Sequence, residues 1–126
     1  MGQQTGQGPV YDRKEQLDQV VSGLLEGETV YAVYDAIGGG TGFLGLTDRR
    51  VILQDKSFVG KKIALTSVPY SRITSVSVLS DKSWTGAFFS TSAIAISTSH
   101  TVHQVEFRGT DKAHHAHNLI LWYVLR

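Results

Sequence analysis

The chain has 126 residues, 41% of them hydrophobic and 18% charged, with 12 lysines and arginines against 11 aspartates and glutamates and no cysteine. That length holds one hydrophobic core rather than two, and a formal charge of +1 makes no electrostatic case for nucleic acid. The lack of cysteine excludes a disulfide framework and thiolate chemistry and fits a reducing compartment, so the cytoplasm is the expected location.

The first residues, MGQQTGQGPV, are rich in Gly and Gln and lack the basic and apolar stretches of a secretory leader. They are expected to form a disordered tail over residues 1–10, ahead of a single domain over 11–126. Asp12 with Glu15 three residues later reads as a capping box, and Leu17, Val20, Val21 and Leu24 fall at helical spacing. A short amphipathic helix follows, with Gly27 placed to stop it.

From Glu28 onward the period shortens to two, and the chain turns rich in Val, Ile, Thr, Tyr and Ser. Strands are predicted over 28–37, 42–47, 50–55, 61–68, 72–79, 90–98 and 101–108. Thr47-Asp48-Arg49-Arg50 punctuates two apolar runs as a tight hairpin does, and Phe58-Val59-Gly60 reads as a second turn. Pro69 lacks an amide hydrogen and holds Val68 extended, which ends one strand and prepares a turn into the next. Tyr70 has an apolar body and a polar tip, which suits a barrel rim. Connections this short exclude crossover helices, so the sheet is expected to be antiparallel and to close into a sandwich or barrel.

After Gly109, Thr110 or Asp111 can cap a last helix running toward Leu125. Ala113, Ala116, Ile120 and Tyr123 make one stripe, yet Leu119, Leu121, Trp122, Val124 and Leu125 leave the last two turns apolar on nearly every side. One sheet cannot cover a whole cylinder, so a second contact with another copy is expected through Leu119, Trp122 and Leu125. The longest apolar run, Leu119 to Leu125, falls far short of the ~20 residues of a spanning helix.

Charge is uneven along this order. Residues 1–47 carry two basic and six acidic groups, and residues 48–82 seven basic and three acidic ones. Arg49, Arg50, Lys61 and Lys62 are the candidate surface for an anionic lipid or phosphate, although alternation along a strand sends neighbouring side chains to opposite faces. The glycine loop Gly38-Gly39-Gly40-Thr41-Gly42 lacks the Lys-Ser/Thr ending of a phosphate loop and reads as a hairpin turn. His114 and His117 stand three apart with no second ligand pair at a diagnostic spacing, and the serines near His100 and His103 have no nucleophile elbow. No catalytic residue, metal or cofactor is predicted. Trp84, Phe88 and Phe89 are expected in a loop that folds back on the core or meets another subunit.

Four segments then stand out by their order and spacing: Glu26-Gly27-Glu28, Leu46-Thr47-Asp48-Arg49-Arg50, Gly60-Lys61-Lys62 and Val68-Pro69-Tyr70-Ser71-Arg72-Ile73. Together they resemble the bacterial pleckstrin homology (PH)-like family over about residues 26–112. The resemblance implies a mainly β fold: a PH-like antiparallel seven-stranded barrel or sandwich capped by a C-terminal helix, here with a short extra N-terminal helix. It also implies cyclic homo-oligomers without an assigned biochemical role. Trp122 resembles the tryptophan that eukaryotic PH domains bury against their sheets. Eukaryotic relatives bind phosphoinositides with basic residues around the loop joining their first two strands; the corresponding loop here, residues 38–42, has neither Lys nor Arg. The expected function is a non-enzymatic, self-associating interaction scaffold, with a peptide or protein partner as a further expectation. The alternative is a peripheral module that binds anionic lipid or phosphate.

Overall fold

Alternating side chains from Val30 onward build two sheets in the computed structural model, which describes residues 8–37, 42–59, 62–79 and 91–126. The first sheet runs in the order β1 (Val10–Tyr11), β2 (Val30–Asp35), β3 (Phe43–Thr47), β4 (Arg50–Val59) and β5 (Lys62–Pro69). A single 3-10 turn over Tyr70–Arg72 leads to the second sheet, β6 (Ser75–Leu79), β7 (Thr91–Ser97) and β8 (Val102–Arg108). Helix α1 spans Lys14–Ser22 and helix α2 spans Lys112–Val124. Consecutive strands from β2 to β5 and from β6 to β8 pair antiparallel. Ala36 bridges to Phe107, and the Ile37 N–H donates to the Glu106 carbonyl at 2.8 Å, so the end of β2 stitches the sheets together.

Period two decides which residues face inward. Ala32, Tyr34, Leu44, Leu46, Val51, Leu53 and Val68 from the first sheet meet Ile94, Ile96 and Phe107 from the second, with Ala113, Ala116 and Ile120 of α2 closing one end. The opposite face of the first sheet is covered as well: Val33, Phe43 and Ile52 pack under Val20 of α1. Strand β3 is therefore buried at all of its positions. Gly45 suits this double burial, since a Cβ there would lie a tight 3.1 Å from Val20 Cγ2 and the valine would have to give way by a few tenths of an ångström.

All seven predicted strands are present, and the PH-like architecture stands. Several local expectations are corrected. Strand β4 continues through Phe58 and Val59 with a register shift between Asp55 and Phe58, where a turn was expected. Val10 and Tyr11, placed partly in the tail by composition, pair parallel with Ala32 and Val33; two residues are too few to show alternation. Helix α1 is capped at Arg13 without a side-chain bond, because the Asp12 carboxylate is drawn instead to the Asp35 N–H and the Lys112 ammonium. The helix ends at Gly23, and Gly27, at φ +80°, turns the chain into β2. At the start of α2, Asp111 makes no side-chain cap, and the Ala113 N–H donates to buried Ser92 Oγ of β7 at 3.2 Å. Residues 1–7, most of the glycine loop, Lys61 and the aromatic loop with Trp84, Phe88 and Phe89 lie outside the described residues. Among the described residues, no helix is long and apolar enough to cross a membrane.

Candidate functional site

Antiparallel pairing of β2 with β3 sets Val30 opposite Thr47 and thereby carries Glu28 to the β3–β4 hairpin. Its carboxylate is fully buried. Oε2 accepts from Arg50 Nε at 2.8 Å and from Thr47 Oγ1 at 2.7 Å; Oε1 accepts from Arg50 Nη2 and from the Leu25 N–H, each at 2.9 Å. The Arg50 fork, with the two Leu25 and Thr47 donors, outweighs the burial that opposes ionisation and holds the Glu28 carboxyl at about 2, well below the usual carboxylate range. The remaining Arg50 bonds go to Ser67 Oγ at 2.8 Å and the Gly23 carbonyl at 2.9 Å. Thr47 Oγ1 also accepts from the Arg49 and Arg50 N–H groups at 3.0 Å each, which closes the hairpin. Arg50, expected on an anion-binding surface, thus directs its guanidinium to Glu28, Ser67 and Gly23. Arg49 is exposed; Lys61 and the Lys62 side chain lie outside the description.

The last helix divides by angle. Leu119, Tyr123 and Val124 pack on the same core as Ala116 and Ile120. Tyr123 stacks on Tyr70 at 4.9 Å between ring centroids and on Tyr31 at 6.2 Å, and its hydroxyl donates to that of Tyr31 at 3.0 Å. The Tyr70 hydroxyl donates to the Thr47 carbonyl at 2.6 Å, a buried rim contact that the apolar body and polar tip of this residue suit. Burial is the main force raising the hydroxyl pKa values of both Tyr70 and Tyr123. The other side of the helix carries Leu121, Trp122 at 59% exposure and Leu125 at 75%. The Arg126 guanidinium lies 5.0 Å above the Trp122 ring. Of the three residues expected to form an interface, Leu119 is partly buried against this chain's own core, and Trp122 and Leu125 are exposed. Trp122 is not the buried tryptophan of the eukaryotic resemblance; Ile120 and Tyr123 occupy the inward positions.

A third cluster went unread in the sequence. Asp12 Oδ2 accepts from the Asp35 N–H at 2.9 Å and from Lys112 Nζ at 3.0 Å. The Lys112 ammonium sits 5.9 Å from the Tyr34 ring centroid, and the Tyr34 hydroxyl shares a hydrogen bond with His115 Nδ1. Burial raises the Tyr34 hydroxyl to about 12, with Asp12 and Asp111 adding to the effect. His114 is exposed and His117 Nδ1 lies 2.9 Å from Asn118 Oδ1. Asp12 and Lys112 stand 100 residues apart, beyond the reach of any periodicity signal.

The family profile described as Bacterial PH domain matches residues 8–124, a span that includes β1 and α1. Among solved structures, the chain is similar to a pleckstrin homology domain from Shewanella amazonensis, with 24% identity and a TM-score of 0.65 over 91% of this chain and 100% of that one. It is also similar to a DUF1696 family protein with a pleckstrin-homology domain from Shewanella loihica, with 21% identity and a TM-score of 0.59 over 90% of this chain and 98% of that one. No curated protein matches the chain.

Proposed function

This chain belongs to the bacterial PH domain family, and on that premise we propose that it is a non-enzymatic interaction scaffold that self-associates through the outward face of α2. The observation that carries the reading is the exposure of Trp122 and Leu125, with Leu121 beside them, on a helix whose other face is already seated. Fully burying a large apolar side chain contributes roughly 1.5–3 kcal/mol, so two such residues from each of two copies supply a gain of the same order as the cost of association. Charge offers less support for the lipid alternative, since Arg50 is bound to Glu28. A cytoplasmic scaffold also suits the cysteine-free composition.

The test is the pair Trp122→Asp and Leu125→Asp in the full chain, followed by light scattering. The parent protein is expected at a multiple of 13.8 kDa and the double variant at 13.8 kDa, with unchanged circular dichroism and melting temperature. A parent of single-chain mass, or a variant of unchanged mass, overturns the proposal. Leu119 is left intact because it supports the fold of its own chain.

A further inference from the structure

Strand β1 is held in an unusual manner for part of a core sheet. Val10 and Tyr11 are 55% and 45% exposed, so their side chains add little to its retention. The hold is backbone pairing over two residues, the Asp12 N–H donating to the Val33 carbonyl at 3.2 Å, and the Asp12 carboxylate on the Asp35 N–H and Lys112 Nζ. The β2 edge beneath it is bounded, for beyond Asp35 the same edge passes to β8 through Ala36 opposite Phe107. Between these limits lies a short slot of backbone groups, filled by Val10–Asp12, with a cation at one end. Such an edge accepts any extended chain of matching length and charge, and a two-residue ladder opens at far lower cost than the core.

We propose that the β2 edge beside Lys112 is a receptor for an extended segment of a partner protein, two apolar residues followed by an aspartate or glutamate and running parallel to β2, and that Val10–Asp12 keeps it closed in the resting chain. The resident segment supplies the template: its backbone provides the ladder and its carboxylate meets the ammonium. Being tethered, it competes at a high effective concentration, so a partner binds only when the latch is weakened. The inference deepens the scaffold reading by naming a partner chemistry, and it does not involve the outward apolar face of α2: its failure leaves the Trp122 and Leu125 contact standing, and the reverse also holds.

The experiment uses the full chain carrying Asp12→Lys, which sets a second cation against Lys112, and a fluorescent peptide of residues 8–13, Gly-Pro-Val-Tyr-Asp-Arg. By anisotropy, the peptide is expected to bind this variant at least ~10-fold more tightly than the parent, and a peptide with Asn for Asp about 10-fold less tightly than the original. Adding Lys112→Ala should erase the difference between the two peptides. No binding to the variant, or equal binding of the two peptides, overturns the proposal, and so does a variant that doubles its mass without taking up peptide, which assigns the slot to a second copy. Should Asp12→Lys fail to fold, amide exchange on the parent decides: the Asp12 and Asp35 N–H groups are expected to exchange ~10-fold or more faster than those of Leu44 and Ile52. Exchange only together with the core makes β1 an integral strand and overturns the proposal.

Discussion

The β3–β4 hairpin and the last turns of α2 invert the usual placement of charge and grease. At the hairpin, Glu28 and Arg50 are turned inward and consumed by each other, by Thr47 and by backbone groups. At the end of α2, Leu121, Trp122 and Leu125 are turned to solvent. A buried ion pair is held by mutual satisfaction and has little left to offer a ligand, whereas an exposed apolar face offers contact area. The difference teaches that residue type alone does not mark a binding surface. An arginine can be framework and a leucine can be interface.

The largest effect expected from breaking this contrast is at Arg50. Arg50→Ala leaves the Glu28 carboxylate buried without its cation, a change that costs about 3 kcal/mol and lowers the melting temperature of a domain this size by roughly 10 °C. Thermal unfolding by circular dichroism measures it. A loss below ~1 kcal/mol, the range of exposed pairs, would make the hairpin an ordinary surface and Arg50 available to anions after all.

Acid sharpens the same point with a smaller effect. The Glu28 carboxyl sits at about 2 against an ordinary 4.5, so the stability it contributes is present above pH ~4.5 and is lost as pH falls from there toward 2. That gap corresponds to about 3 kcal/mol at most, and less after partial screening. Glu28→Gln removes the titration while keeping the shape. Urea midpoints of the two chains should differ most at pH 7 and converge as pH drops through 4.5 toward 3. Parallel curves across that window would sink the assignment.

The frame of the fold was legible because its signals are local. Seven runs of period two and two helical stripes needed only their neighbours to be read, and the turn residues at Thr47–Arg50 and Val68–Pro69 set the punctuation. The ion pair was half legible. Glu26-Gly27-Glu28 and Thr47-Asp48-Arg49-Arg50 carried opposite charges to the two ends that a β2–β3 hairpin joins, and a register argument from Val30 opposite Thr47 would have matched Glu28 with Arg50. Of the two arginines, only Arg50 enters that pairing, and Arg49 is exposed. The split of α2 was hidden for another reason: where almost every residue is apolar, periodicity no longer says which face is covered, and the residues it meets, Tyr31 and Tyr70 among them, decide. The Asp12–Lys112 latch had no sequence signal, since it joins the two ends of the chain through a strand of two residues.

The smallest effect comes from two adjacent residues of α2 that should behave as opposites. Tyr123 is wedged between Tyr70 and Tyr31, so Tyr123→Phe keeps the stack and removes only the hydroxyl bond to Tyr31, at an expected cost of about 0.5–1 kcal/mol to folding and no change in solution mass. Trp122, one residue earlier and pointing away from the core, should show the reverse: Trp122→Ala moves folding stability by no more than ~0.5 kcal/mol and shifts the association equilibrium toward single chains. Chemical denaturation at low protein concentration reads the first quantity and concentration-dependent light scattering the second. If both substitutions weaken folding and neither alters mass, the two faces of the helix are not functionally distinct, and the contrast between an inward-facing hairpin and an outward-facing helix end loses its meaning for assembly.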